Sequence, residues 1–168
     1  MEKTNVMRIL DQKKIPYEAF EYPHEKGVCV EGVKVAKILG QNKEEVFKTL
    51  VAIGHSKHYY VFVIPVAEEL DLKKAAKAVK EKSVELIPVK DLLGITGYIR
   101  GGCSPIGMKK QFTTILHNSV QSLENIIFSA GKIGYQVKLN PMDLAKIIRI
   151  EFSDIIHVAN ELSFRVNL

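Results

Sequence analysis

The sequence predicts a single α/β domain, of the α+β type, built on one mixed and curled β-sheet with helices packed outside it. Segments with strand patterns outnumber those with helical patterns, and their order along the chain is irregular. A length of 168 residues suffices for one full core and is too short for two. The hydrophobic content of 46% and charged content of 26% are ordinary for a globular domain. We therefore expect residues 1–168 to form one domain.

Four segments combine the apolar spacing of a helix with a start or end signal. The first stops before Pro16, since proline cannot continue a helix. Gly40 follows the second, where a left-handed residue is favoured, and Asp71 caps the third. Asn140-Pro141 starts the fourth. The expected helices cover 4–14, 32–39, 72–79 and 141–148, with a helical turn near Pro88. The expected inward side chains are Val33, Ala36 and Ile38 or Leu39 in the second helix, and Leu72, Ala75, Ala76 and Val79 in the third.

Strand patterns fill most of the remaining chain. Residues 17–22 alternate aromatic and acidic side chains, which indicates a half-buried strand. Residues 46–53 and 59–66 are almost continuously apolar, and Pro65 should end the second run or lie at a sheet edge. Four further strands are expected: a short one that begins at Ser83, and three that cover 112–116, 126–129 and 135–139. The apolar segment 154–159 has no assigned type, and the tail after Asn160 has no assigned role.

The glycine-rich loop (residues 96–110) holds four glycines together with a proline and a serine. Glycine has no Cβ, so backbone N–H groups in such a loop can approach a ligand carbonyl or phosphate closely. Its flanking cations, Arg100, Lys109 and Lys110, favour an anionic partner. A structural turn between two strands is the alternative, and composition does not separate the two.

Lys48 is a lone cation inside the apolar run 46–53. A lysine there extends to the sheet edge, points into a cavity, or lies on a solvated strand face. A second basic feature is the outer face of the third helix, which either is solvated or contacts an RNA backbone. Its lysines are Lys73, Lys74, Lys77 and Lys80.

Familiar catalytic devices are missing from the sequence. The segment 102–110 is not a Walker A loop. Its lysine does not directly follow the last glycine, and no Ser or Thr follows the lysine. Cys103 is a candidate nucleophile, although a small buried thiol is the simpler interpretation. The histidines and cysteines lack metal-ligand spacing, so we expect neither metal nor cofactor. This pattern suits a site that binds and polarises more than it attacks.

Composition also limits the partners and the location. The net charge of +5 fits a polyanion without requiring one. No apolar run reaches the ~20 residues of a membrane span, and the N-terminus lacks a signal-peptide pattern. We expect a cytoplasmic protein with no membrane or DNA partner, whose two cysteines stay reduced.

Four separated motifs resemble the YbaK/EbsC family, stand-alone relatives of the prolyl-tRNA synthetase editing domain. They occur in the family's order, and the resemblance extends from about Lys3 to Ala159, nearly the whole chain. It is to the branch whose members are Cys-tRNA(Pro) deacylases. The motifs lie at 47–51, at 65–74, at 96–98 with 101–107, and at 129–132.

The resemblance implies the family's partly barrel-like fold and removal of cysteine mischarged onto tRNA(Pro). It leaves Cys-tRNA(Cys) open as a second substrate. Lys48 matches the lysine that holds the 3′-terminal adenosine and phosphate region, and Gly101 and Gly102 match catalytic amides near the aminoacyl group. The positions that match the substrate pocket are Tyr22, Ser104, Pro105, Gly107, Ser129 and Gly131. The family mechanism is substrate-assisted: the cysteinyl thiol attacks its own ester. A ternary complex with prolyl-tRNA synthetase would supply tRNA specificity, since this chain has no anticodon-reading domain.

Two departures from the family pattern leave the amino-acid specificity open. Gln136 stands where some members carry an acidic residue, and the segment 27–31 also differs, so its pocket residues are not carried over. An Ala-tRNA(Pro) deacylase is the nearest competing function. A non-catalytic tRNA- or nucleotide-binding module and a thiol hydrolase using Cys103 are the others.

Overall fold

The computed structural model describes residues 1–158, and residues 159–168, which include the tail after Asn160, lie outside the described part. The helices are α1 (Asn5–Gln12), α2 (Gly32–Leu39), α3 (Leu72–Ala78), α4 (Val89–Thr96) and α5 (Pro141–Leu144), with a 3-10 helix at Asn118–Ser122. The strands are β1 (Glu18–Glu21), β2 (Phe47–Gly54), β3 (Tyr59–Pro65), β4 (Val84–Leu86), β5 (Thr113–His117), β6 (Ile126–Ser129), β7 (Tyr135–Leu139) and β8 (Ile150–Ser153). None of the helices in residues 1–158 is long and apolar enough to cross a membrane.

The strands form two sheets. The larger sheet has the order β4-β2-β3-β5-β8, with antiparallel pairs on the β4 side of β3 and parallel pairs from β3 to β8. The smaller sheet is antiparallel, with the order β1-β7-β6. The predicted mixed α/β fold is confirmed, and its strands are divided between two sheets where one was expected.

The two sheets meet at one point, where Val46 and Ile127 form an isolated parallel bridge. There the Ile127 N–H donates to the Glu45 carbonyl at 2.8 Å, and the Val66 N–H donates to the Val46 carbonyl at 2.9 Å. Val46, Ile127, Val66 and Ala36 of α2 bury one another in a small apolar cluster. The sheets are thus joined by hydrogen bonds at one corner and also pack against each other through the larger apolar core.

Strand β3 is buried on both faces, which explains its unbroken apolar run. Val61 and Val63 belong to the larger core cluster, between the sheets and α1. Phe62 and Ile64 point the other way, into a second cluster that includes Ala75 of α3. The side chains of these four consecutive residues of β3 are 0% exposed. Strand β3 is therefore the middle layer between two apolar cores.

The predicted start of α3 and end of α2 are confirmed, whereas α5, expected to reach Ile148, ends at Leu144 and continues as turns. Asp71 caps α3 by accepting hydrogen bonds from the Lys73 and Lys74 N–H groups, at 3.0 and 3.1 Å. Gly40 ends α2 in the left-handed conformation, with φ +66°.

Two predicted helix faces were wrong in part. In α2 the buried side chains are Val35 and Ala36, while Val33 and Ile38 are exposed. Leu72 of α3 is also exposed. Helices of two turns contact the sheets over a short stretch, so their position on the sheet decides which apolar side chains are covered.

Strand β8 was not predicted. It lies at the edge of the larger sheet and pairs in parallel with β5, with Glu151 and Phe152 exposed. Its four residues adopt the strand conformation through pairing with a distant segment, which a short local pattern does not reveal.

Tyr98 anchors the glycine-rich loop. Its hydroxyl donates to the Ile106 carbonyl at 2.6 Å, and the Lys109 N–H donates to the Thr96 carbonyl at 2.9 Å. Gly107 has φ +79°, and a Cβ built on it would lie 2.7 Å from the Tyr98 hydroxyl. Gly107 therefore meets both a backbone and a packing requirement that other residues do not.

Substituting Gly107→Ala should lower the free energy of unfolding by about 1–3 kcal/mol, because alanine is strained at positive φ and displaces the Tyr98 hydroxyl. Urea unfolding measures the change. The matched control is Gly94→Ala in α4, where a Cβ meets nothing within 4 Å. That control should gain roughly 0.5–1 kcal/mol from helix propensity. Unchanged stability of Gly107→Ala with lost activity would instead assign Gly107 to substrate binding.

Candidate active site

A cleft of about 400 Å³ lies beside the junction of the two sheets, and Val46 of the bridge is among its lining residues. Strand β2 and the start of α2 form one side, and β6, β7 and the glycine-rich loop form the other. Its lining residues are Tyr22, Cys29, Val30, Glu31, Gly32, Val33, Val35, Val46, Phe47, Lys48, Thr49, Leu50, Val66, Arg100, Gly101, Cys103, Ser129, Tyr135 and Gln136.

Lys48 is half-buried in this cleft, on β2 opposite Ile64 of β3. Among residues 1–158, no carboxylate lies close enough to the Lys48 ammonium to form an ion pair. Burial lowers the pKa of Lys48, and the more distant charges of Glu69, Glu68 and Glu31 oppose that change only in part. A partly desolvated, unpaired ammonium is suited to bind an anionic group such as a phosphate.

Ser129 and Gln136 face each other across the β6–β7 pair, and both line the cleft. The Ser129 hydroxyl oxygen accepts a hydrogen bond from the Gly131 N–H at 3.2 Å, so its own proton remains free to donate. Gln136 is 5% exposed. Its Oε1 accepts from the Gln41 Nε2 at 2.8 Å. The wall formed by β6 and β7 therefore presents hydrogen-bond donors.

The two catalytic glycines implied by the resemblance lie in different surroundings. Gly101 lines the cleft with φ +88°, and a Cβ built on it would lie 2.9 Å from the Cys29 Sγ. Gly102 is buried outside the lining, and its N–H donates to the Ile99 carbonyl at 3.0 Å. The Gly102 amide is thus engaged within the loop, whereas Gly101 allows the segment bearing Cys29 to approach.

The substrate-pocket candidates divide in the same way. Tyr22 and Ser129 line the cleft, and Tyr22 is held by its N–H, which donates to the Gly134 carbonyl at 2.9 Å. Ser104 is 0% exposed, and its hydroxyl oxygen accepts from the Ile106 N–H at 3.4 Å. The other four candidates do not line the cleft: Ser104 and Pro105 are buried, Gly131 is partly exposed and Gly107 is exposed.

Cys103 lines the cleft but is poorly suited to be a nucleophile. Its side chain is largely buried, and burial raises the pKa of the thiol to about 12. At neutral pH the thiol therefore stays protonated, and the thiolate is the reactive form. Cys29 is the exposed cysteine. Within residues 1–158, no three His, Cys, Asp or Glu side chains are grouped to hold a metal ion.

Sequence reasoning missed several lining residues. Cys29, Val30 and Glu31 come from the segment that was left unassigned, and Glu31 is the one carboxylate among the lining residues of the described chain. Arg100 was noted only as a cation beside the loop. The signal that was present is adjacency: Arg100 precedes Gly101, and Thr49 follows Lys48.

Comparison with known proteins identifies the family. The model of the aminoacyl-tRNA editing domain matches residues 30–147. A protein of Enterococcus faecalis named as a Cys-tRNA(Pro)/Cys-tRNA(Cys) deacylase, EbsC, is 47% identical over 154 residues, which are 92% of this chain and 93% of that protein.

Solved structures agree on the fold. The crystal structure of hypothetical protein APE2540 has a TM-score of 0.80 at 18% identity and covers 93% of this chain and 100% of its own. A crystal structure described as a trans-editing enzyme for prolyl tRNA synthetase has a TM-score of 0.77 at 19% identity, with coverage of 90% and 94%. The chain therefore belongs to the aminoacyl-tRNA editing domain family, and the resemblance expected from the sequence is confirmed.

Proposed function

We propose that this chain is a trans-editing deacylase that removes cysteine from mischarged Cys-tRNA(Pro), with Cys-tRNA(Cys) as a second substrate. The observation that carries the proposal is the half-buried, unpaired Lys48 in a cleft whose opposite wall presents hydrogen-bond donors. The family and the deacylase relative that is 47% identical support it. We assign the activity to one domain of residues 1–168 and to the cytoplasm, where aminoacyl-tRNA is made and used.

Lys48 binds the 3′-terminal nucleotide of the tRNA in this proposal. The exposed Arg100 lies on the same cleft and adds a second cation for the phosphate. The aminoacyl ester then lies deeper, near Gly101 and Ser129, where a backbone N–H and a hydroxyl can stabilise negative charge on the carbonyl oxygen. Tyr22 contributes an aromatic surface to the lining.

The nucleophile comes from the substrate. The sulfur of the cysteinyl side chain attacks its own ester carbonyl carbon, and the carbon–oxygen bond to the ribose breaks. The thiol proton goes to the departing ribose oxygen, which leaves tRNA with a free hydroxyl and a four-membered thiolactone that water opens to cysteine. This route needs no enzyme nucleophile, in keeping with the protonated thiol of Cys103. Orientation in the cleft contributes by holding sulfur and carbonyl carbon together.

Lys48→Ala should reduce deacylation of Cys-tRNA(Pro) at least about 100-fold, because it removes the cation that positions the acceptor end. Single-turnover release of labelled cysteine measures the rate, and circular dichroism checks the fold. Lys146→Ala is the matched control: it removes one charge from the exposed side chain of a lysine that does not line the cleft. Full activity of Lys48→Ala would refute the site assignment.

Substrate selectivity tests the mechanism. Cys-tRNA(Pro) should lose its amino acid rapidly, while Ala-tRNA(Pro), Ser-tRNA(Pro) and Pro-tRNA(Pro) should remain charged, because only cysteine carries the thiol. Cys103→Ala should keep the activity, since that thiol takes no part. Loss of alanine would point to an Ala-tRNA(Pro) deacylase with water as nucleophile. Binding of tRNA without any turnover would point to a non-catalytic module, and inactivity of Cys103→Ala to a thiol hydrolase.

Selection of tRNA(Pro) over other tRNAs is assigned to prolyl-tRNA synthetase in a transient ternary complex. The cleft is large enough for the end of the acceptor strand but not for the body of a tRNA. Adding the synthetase should raise the ratio of kcat/KM for Cys-tRNA(Pro) over Cys-tRNA(Cys). Steady-state assays with and without the synthetase measure that ratio, and an unchanged ratio would rule out this partner.

A further inference from the structure

Two glutamines are hydrogen-bonded to each other beside the cleft. Gln136 of β7 lines the cleft at 5% exposure, and Gln41 follows the glycine that ends α2. The Gln41 Nε2 donates to the Gln136 Oε1 at 2.8 Å. A segment distant in sequence thus fixes the amide of a cleft residue.

This contact determines which end of the Gln136 amide faces the cleft. Because its oxygen is occupied by Gln41, its NH₂ group points the other way, and that nitrogen forms no hydrogen bond with the described residues 1–158. The opposite rotation of both amides is less favourable. Gln41 Oε1 is buried and has no hydrogen-bond partner within the part of the chain that the structure describes. Rotation would replace that oxygen by an NH₂ with two unsatisfied donors, which costs more than one unpaired acceptor.

The position of Gln136 favours a neutral acceptor. A phosphate would need to be stripped of water to reach a side chain that is 95% covered, whereas a neutral ester carbonyl loses far less hydration there. Lys48 and Arg100 already provide charges for the phosphate nearer the solvent. The NH₂ group also repels the substrate's ammonium, for which a carboxylate at this position would be an acceptor.

We infer that Gln136 is a specificity-determining residue that donates a hydrogen bond to the carbonyl oxygen of the aminoacyl ester, and that Gln41 is the positioning residue that turns its amide. The inference rests on the proposed deacylase function. The hydrogen bond strengthens as the carbonyl oxygen gains negative charge, so it acts mainly on kcat.

A double-mutant cycle tests the inference. The Gln41→Glu carboxylate only accepts hydrogen bonds, so it should draw the Gln136 NH₂ toward itself and leave an oxygen facing the cleft. We expect kcat for Cys-tRNA(Pro) to fall about 10–100-fold with KM changed less than about twofold. Gln136→Met should cause the same fall, and adding Gln41→Glu to it should cause no further loss, since Gln41 acts through Gln136.

The control and the second variant keep the result interpretable. Gln121→Glu makes the same chemical change at an exposed position of the 3-10 helix and should leave kcat unchanged. If Gln136→Met does not fold, Gln136→Ala replaces it, because alanine also removes the amide donor and adds neither a charge nor an acceptor for the substrate's ammonium.

The outcomes separate the two proposals. An inactive wild-type protein refutes the deacylase function itself. An active wild type with unchanged kcat in Gln136→Met refutes the role of Gln136. An equal loss from Gln41→Glu with and without Gln136→Met shows that the new charge acts directly and refutes positioning. If Gln136→Met also weakens the binding of uncharged tRNA by the same factor as it lowers kcat, the Gln136 amide contacts the nucleotide. That result refutes the contact with the carbonyl oxygen.

Discussion

The single bridge between Val46 and Ile127 decides where a ligand can bind. On each strand, the residue two positions beyond the bridge is a cleft residue, Lys48 on β2 and Ser129 on β6. Side chains two apart on a strand share a face, so the two residues start from one point and face one space. Beyond the bridge β2 pairs with β3 and β6 with β7. Lys48 and Ser129 lie on the strand faces that carry Val46 and Ile127, opposite the core packed between the sheets, so the cleft lies beside the junction of the two sheets.

That geometry also explains how an uncompensated charge is maintained. Burial lowers the pKa of Lys48, which means that the fold holds the ammonium in surroundings that disfavour it. The carboxylates that oppose this effect, Glu69, Glu68 and Glu31, form no ion pair with it in the described residues. A direct ion pair would relieve the penalty and occupy the site. An anionic substrate supplies the missing counter-charge instead. The unfavourable free energy of the partly buried ammonium in the free protein therefore contributes to substrate binding.

Sequence patterns predicted well the elements whose stability is local or whose burial is complete. The runs of β2 and β3 are long and apolar because both faces of β3 are covered, and Asp71 and Gly40 mark helix ends through local hydrogen bonds and backbone conformation. Strand β8 and the division into two sheets depend on pairing between distant segments, for which a single sequence carries no signal.

The same distinction applies to the cleft. Lys48 was found because a cation in an apolar strand is a local anomaly. Gly101 and Gly102 are adjacent in sequence, yet one lines the cleft and the other bonds to Ile99 within the loop. Which loop residue faces outward depends on the segment packed against it, here the one that carries Cys29. The Gln41–Gln136 contact joins positions 95 residues apart, so the patterns of either segment alone do not reveal it.

Selectivity for cysteine follows from what the cleft lacks as much as from what it holds. A pocket that discriminates by size separates side chains differing by one methylene only about 10–200-fold. In the proposed mechanism the cleft admits several small aminoacyl groups and leaves each of them intact, unless the group brings its own nucleophile. The buried thiol of Cys103, with its pKa raised to about 12, is consistent with that division of labour, because a reactive enzyme thiolate beside the ester would attack correct and incorrect substrates alike. In the proposed mechanism, the chemistry of the substrate provides the discrimination that the shape of the cleft cannot.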